Sequence, residues 1–301
     1  MSPTVSNGTR NVAAAFASSE SAAADSAREF AFSDADFRNL AQYAYDQAGI
    51  ALADNKRNLV YSRLSRRLRA LNMTTFREYR EYLAATPSEL EAFINAISTN
   101  LTKFFREAHH FDHFRTHVAA QFGQEHQPGG RRLRVWSAGC STGEEPHTIA
   151  VVLKREIRDI HRHDVRILAT DIDTEVIAKG KRGEYPVNSI EEVPKVYREY
   201  FRTTAGERNT TNAIVADEVR SLITFRRLNL MEKWPFSGLF DAIFCRNVMI
   251  YFDGPTKTAL VDRFTKQVKP GGWLYIGHSE SLIGAHPGLE LMGRTVYRRE
   301  A

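Results

Sequence analysis

The chain has 301 residues, a formal net charge of +5 and 43% hydrophobic residues. That length suits one large domain or two modest ones with a real core, and no apolar run nears the ~20 residues that cross a bilayer. The N-terminus carries no charged segment followed by a long apolar core, so no secretory signal is expected. The two cysteines, Cys140 and Cys245, lie outside any C-x-x-C, which points to a reduced, cytoplasmic protein. The mild basic excess invites an acidic partner without saying whether it is protein or nucleic acid.

Residues 1–28, rich in Ala and Ser with no lasting apolar period, are expected to be a disordered tail. A helix follows from Ser33, a good N-cap, with Phe37, Leu40, Ala41 and Ala44 on one face and Gly49 beyond its end. A second helix is expected from Ala53 to about Leu71, and two more over 74–83 and 88–97. Residues 29–97 thus read as a small helical domain. A connecting segment, 98–107, leads to a helix rich in His and Phe and then to a polar break at Gln124–Gly130.

Beyond it strands and helices alternate. Strands are expected at Leu133–Trp136, Val165–Ala169, Ile223–Leu228, Asp241–Cys245 and Trp273–Gly277, with a closing hairpin of Leu289–Met292 and Thr295–Arg298. Helices fall near 145–160, 173–182 and 256–268, and Pro270-Gly-Gly272 reads as the turn before the last long strand. Such alternation predicts an α/β fold with a mostly parallel, doubly wound sheet over 98–301. The rhythm breaks at 200–222, where Phe201-Arg-Thr-Thr and Ala213-Ile-Val-Ala flank a polar turn around Gly206, so a small antiparallel β-insert is expected.

The most informative stretch is Arg134 to His147. It reads as a buried strand, a turn freed by Gly139 and Gly143, and a helix with Pro146 in its first turn. Strand, glycine turn and helix build the crevice of a doubly wound fold. Ser141 replaces the second glycine of the dinucleotide pattern, and Glu144 and Glu145 occupy the helix start. Carboxylates there suit a ligand with hydroxyls and positive charge rather than phosphates. Asp171, at the carboxyl end of the second strand, is placed to accept from ribose hydroxyls, and Asp173 to do the same or to cap the next helix.

Arg246, Asn247 and Tyr251 follow the Asp241–Cys245 strand at the same end of the sheet, and Asn229 follows another strand. Tyr251 could orient a substrate or merely pack. Arg106, with Asn100 and Thr102 in the connecting segment, could bind an anionic group or be solvated. In the second helix, Lys56, Arg63 and Arg67 fall within about 40° of one another, with Arg66 nearby, which suits an acidic partner as well as a solvated face. His109, His110, His113 and His117 lack the spacing and companions of a metal site, so no metal is expected.

Several long segments resemble one family in the same order: Ala48–Arg57, Thr99–Glu107, Ser141–Pro146, Ala169–Thr174, Phe240–Phe252 and Gly277–Glu280. From about residue 30 to 301 the chain resembles the chemotaxis receptor methyltransferases (CheR), which methylate receptor glutamates from S-adenosylmethionine and release S-adenosylhomocysteine. The resemblance implies a Rossmann-like methyltransferase domain carrying a β-insert and preceded by an all-helical domain. It implies Asn100, Thr102, Arg106, Glu145, Asp171, Asn229, Leu230, Arg246 and Asn247 at the cofactor, with Glu145 on its amino group and Asp171 on its ribose. It implies Arg106 and Tyr251 at the methyl-transfer site. Lys56, Arg63, Arg66, Arg67 and Arg69 would face the acidic methylation helices of chemoreceptor cytoplasmic domains. The expected enzyme is a monomer that binds no nucleic acid and does not insert into the membrane. The family's β-insert can bind a receptor C-terminal peptide through a glycine-rich loop, whereas residues 203–212 hold one glycine. An RNA or small-molecule methyltransferase and a non-catalytic cofactor sensor are the rival readings.

Overall fold

The computed structural model describes residues 28–124, 130–205, 211–280, 282 and 286–300. Apart from Arg28, the expected N-terminal tail lies outside the described residues, as do most of the Gln124–Gly130 break and the insert's turn around Gly206. The chain divides into two compact units. One runs to Gln47 and includes Leu52–Ile97; the other comprises Ala48–Ala51 and everything from Ser98.

The first unit is helical, with helices Asp34–Ala48, Arg57–Ala70, Phe76–Ala85 and Glu89–Ile97. Its helix starts are written in short polar side chains. The Ser33 hydroxyl accepts the Asp36 N–H at 3.1 Å. Thr75 forms a capping box with Glu78, which satisfies two N–H groups that the first turn leaves without helical partners. Phe32 and Phe76, 4.4 Å apart between centroids, join Leu40, Leu64 and Phe93 among the buried side chains. A carboxylate is buried here as well. Glu89 accepts from Arg67 Nε at 2.6 Å and from the Tyr79 hydroxyl at 3.1 Å.

Among the described residues the second unit carries ten strands: β1 Arg132–Ala138, β2 Asp164–Asp171, β3 Glu184–Pro186, β4 Phe201–Ala205, β5 Thr211–Val215, β6 Ile223–Arg227, β7 Phe240–Cys245, β8 Val268–Ile276, β9 Leu289–Gly293 and β10 Val296–Arg299. Seven of them form one sheet in the order β6-β2-β1-β7-β8-β10-β9. Its pairings are parallel from β6 to β8, and β10 is antiparallel to both β8 and β9. The central strands are near-continuous apolar runs because helices cover both faces: Glu144–Glu156 shares one core with Val135 and Phe244, and Gly254–Gln267 shares another with Trp136 and Ile243. Val135 of β1 lies opposite Ile167 on one side and Ala242 on the other. The parallel order reverses direction at β1, so the carboxyl ends of β1, β2 and β7 border the switch point where such sheets bind ligands.

Two details differ from the sequence expectation. Pro270-Gly-Gly272 lies inside β8, where it interrupts the register rather than preceding the strand. Phe240 pairs with Val268, and two residues later Ala242 pairs with Trp273. Gly271, at φ +74°, takes up the irregularity. The insert also has a third strand. β4 and β5 form the expected hairpin, but β5 pairs on its other side with β3, and Asp217–Arg220 is a helical turn. β3 was missed because three residues around a proline carry no visible alternation.

Phe104 anchors the connecting segment on this insert. Its ring meets Tyr185 of β3 edge-on at 5.0 Å and Phe201 of β4 at 5.2 Å.

Candidate active site

The loop after β1 is held by its backbone. Gly139 and Cys140 both donate to the Thr170 carbonyl at 2.8 Å, and Ser141 adopts a left-handed φ of +48°. Gly139 is required twice over: its φ is +80°, and an added Cβ would lie 2.2 Å from Val248 Cγ2. Gly143 sits against Gly180 of the helix Thr174–Arg182, 2.7 Å from where a Cβ would stand. From the far side Tyr185 reaches in. Its hydroxyl donates to the Thr142 carbonyl at 2.8 Å and meets His147 Nδ1 at 3.0 Å. Burial drops the His147 pKa to about 3, so that ring is neutral.

Asp171 ends β2. One carboxylate oxygen accepts the Ser141 N–H at 2.8 Å, and the other accepts the Asp173 N–H at 3.0 Å. Burial pushes its pKa up to about 6 despite these two bonds. Asp173 takes the capping role, accepting from the Glu175 and Val176 N–H groups, and its second oxygen accepts from Asn100 Nδ2 at 2.7 Å. That last bond ties the connecting segment to the end of β2.

Glu145 and Arg246 form the buried centre. Glu145 accepts from the Ser137 hydroxyl at 2.7 Å and from Arg246 Nη1 at 2.9 Å. Burial raises the Glu145 carboxyl above its usual value, and Arg246 and Ser137 pull against that rise. Glu107 approaches the same guanidinium at 3.3 Å. Burial works to raise the Glu107 carboxyl too, but Arg246 and the His278 N–H outweigh it and hold it below the usual range.

Asn247 stands at φ +60°, where asparagine is tolerated better than most residues. Its N–H donates to Glu280 Oε2 at 2.7 Å. Glu280 also accepts the N–H groups of Gly277 at 2.9 Å and Ile250 at 3.0 Å, so one buried carboxylate fixes the turn that carries Arg246 to Tyr251.

Tyr251 and Arg106 both donate to carbonyls of the connecting segment, Arg106 from within it. The Tyr251 hydroxyl donates to the Thr99 carbonyl at 2.9 Å, and Arg106 Nη1 donates to the Leu101 carbonyl at 2.7 Å. Thr102 lies half-buried in the same loop. Asn229 is buried, accepting the Met231 N–H at 3.0 Å, and the Leu230 carbonyl accepts from Arg263 and from Trp234 Nε1. Of the expected basic face, Arg67 is engaged by Glu89 and Arg69 pairs with Glu29 at 3.1 Å, whereas Lys56 and Arg66 are exposed. Among the described residues no group of three or more His, Cys, Asp or Glu could hold a metal. His110 and His113 are instead held neutral, chiefly by burial, with pKa values of about 3 and 4.

Sequence reasoning passed over Glu107, Ser137 and Glu280. Glu107 and Glu280 lie in the segments that carried the family resemblance, but nothing in their spacing shows that one meets a distant arginine and the other a distant turn.

The residues fit S-adenosylmethionine. Asp171 and Glu145 are buried acceptors suited to hydroxyls and an ammonium, and Arg246 Nε and Glu107 Oε2 are buried without a hydrogen-bond partner in the protein. A reversing parallel sheet, a glycine turn after β1 and buried acids at Glu145 and Asp171 fit an S-adenosylmethionine-dependent methyltransferase. Family profiles agree: "CheR methyltransferase, all-alpha domain" matches residues 35–98, and "CheR methyltransferase, SAM binding domain" matches 100–298. The chain is 43% identical over 271 residues to chemotaxis protein methyltransferase 2 of Pseudomonas aeruginosa, covering 90% of this chain and 95% of that one. It is 42% identical over 274 residues to the chemotaxis protein methyltransferase of Salmonella typhimurium (90% and 92% covered). Identity to the Escherichia coli protein of that name is 42% over 271 residues (89% and 91%). The chain belongs to the CheR methyltransferase family. No described helix is long and apolar enough to cross a membrane.

Proposed function

We propose that this enzyme esterifies glutamate side chains on the cytoplasmic domains of chemoreceptors, acting as a monomer in the cytoplasm. The observation that carries the reading is that Arg106 and Tyr251 donate to backbone carbonyls two residues apart in one loop, those of Leu101 and Thr99. A guanidinium at a transfer site favours an anionic acceptor and would repel an ammonium, and a phenol beside it can donate to the same anion. Bound S-adenosylmethionine supplies an electrophilic methyl group.

The protein's residues do the rest by placement. A receptor glutamate, with an unperturbed pKa near ~4.3, is already ionised at pH 7, so the site needs no general base. Arg106 holds one carboxylate oxygen and leaves the other to attack, and Tyr251 orients the acceptor. Asp171 takes the ribose hydroxyls and Glu145 the amino group. Asn100 and Thr102 lie along the methionine portion, and Asn229, Leu230, Arg246 and Asn247 surround the remainder. Positioning two oppositely charged partners in a drier site is then the main source of rate. Lys56, Arg63, Arg66 and Arg69 would meet acidic methylation helices, with the exposed Lys56 and Arg66 foremost.

The test is transfer of radiolabel from S-adenosylmethionine to receptor-containing membranes, followed by alkali. Volatile label recovered as methanol is the expected result. Label that survives alkali on protein or RNA would overturn the carboxylate assignment.

A further inference from the structure

We infer that Glu107 is a positioning residue that sets the charge of the methionine subsite, making the cluster selective for a ligand with a free amino group. The inference rests on the proposed reading that Glu145 receives the cofactor's amino group. Glu145 and Glu107 address opposite nitrogens of one buried guanidinium, at 2.9 and 3.3 Å. Two carboxylates against one arginine leave an excess of one negative charge.

His110 is the next ionisable group, its Nδ1 lying 3.4 Å from Glu107 Oε2. Its ring is neutral and held on the other side by Thr295 and the Arg294 carbonyl, so it does not cancel that charge. With Glu107 absent, Arg246 would neutralise Glu145 outright. With Glu107 sharing Arg246, Glu145 keeps enough negative potential to pair with an ammonium. Glu107 is fixed for this by its left-handed backbone (φ +56°) and by the Asn247 side chain and the His278 N–H, which donate to its other oxygen at 3.4 and 3.3 Å.

The test measures equilibrium binding by calorimetry of two ligands, S-adenosylhomocysteine and 5′-methylthioadenosine. The second shares the adenosine and sulfur but lacks the amino-acid end. In wild type the first should bind more tightly. In E107Q that preference should shrink about tenfold, the scale of one weakened charge contact, while methylthioadenosine binding stays within about twofold. E107D, which keeps the charge, should keep the preference.

Equal loss of both ligands in E107Q would mean a merely structural role, and unchanged preference would mean no role; either overturns the inference. If E107Q does not fold, E107S against E107D makes the same comparison. Wild type that binds neither ligand would overturn the cofactor reading itself, which separates that failure from this one.

Discussion

The Tyr251 hydroxyl donates to the Thr99 carbonyl at 2.9 Å across 152 residues of sequence. The bond joins the turn after β7 to the loop that carries Asn100, Thr102 and Arg106. In Y251F the ring stays and the bond is lost. One partly exposed hydrogen bond contributes about 1 kcal/mol to stability, so thermal unfolding should shift by only a few degrees. Methyl transfer should fall at least about tenfold if the hydroxyl also orients the acceptor, with S-adenosylhomocysteine affinity nearly unchanged. A variant with full turnover would remove Tyr251 from the transfer site.

Asp171 gives a pH dependence with a definite sign. Its folded pKa of about 6 lies above the ordinary aspartate value because burial disfavours the charge. A raised acid destabilises the fold increasingly as pH climbs from near ~4 through 6, the opposite of a salt-bridged aspartate. Ribose hydroxyls donating to the ionised form would draw the pKa back down, so binding releases a proton. Affinity for S-adenosylhomocysteine should therefore rise between pH 5 and 7 and level off above. D171N should bind more weakly and lose that slope; the same slope in D171N would assign it elsewhere.

Much of this site was legible because local chemistry writes it: a glycine turn, an acid ending a strand, a cap directly before a helix. The parallel core followed from its apolar runs. What stayed hidden depends on contacts distant in sequence. Glu107 reads as an ordinary helix-start acid until Arg246, 139 residues on, is seen beside it. The expected basic face shows the same limit. Helical spacing put Arg67 on the basic stripe, but no spacing could show that Glu89 turns back and takes its guanidinium. β3 and the interrupted β8 were missed because proline and glycine mark a turn and an irregular strand alike.

Arg67 and Arg66 should therefore behave as opposites. Removing Arg67 leaves the Glu89 carboxylate buried, with the Tyr79 hydroxyl still donating to it at 3.1 Å. The cost should be about 3 kcal/mol, visible in chemical denaturation. R66A, at an exposed position, should unfold like wild type while methylating receptors more slowly, most clearly at low salt. Equal stability of the two variants would contradict this division.

Glu280 is the third carboxylate to test. In E280Q an amide must face N–H donors from Asn247, Gly277 and Ile250, and at least one loses its acceptor. A loss of about 2 kcal/mol is expected, with reduced transfer because Arg246 and Tyr251 ride on the turn it holds. Wild-type melting together with wild-type rate would show that the turn holds its own shape.

The reach of Tyr185 into the glycine turn has an evolutionary corollary. The β4–β5 hairpin meets the connecting segment through Phe201 against Phe104, whereas Tyr185 of β3 donates directly to the Thr142 carbonyl. Drift within the β4–β5 hairpin would therefore leave that contact in place. The Tyr185 phenol would travel with the cofactor loop as one inherited module, and a graft that exchanged hairpins between relatives would do best to place its joints after Pro186 and before Ala216.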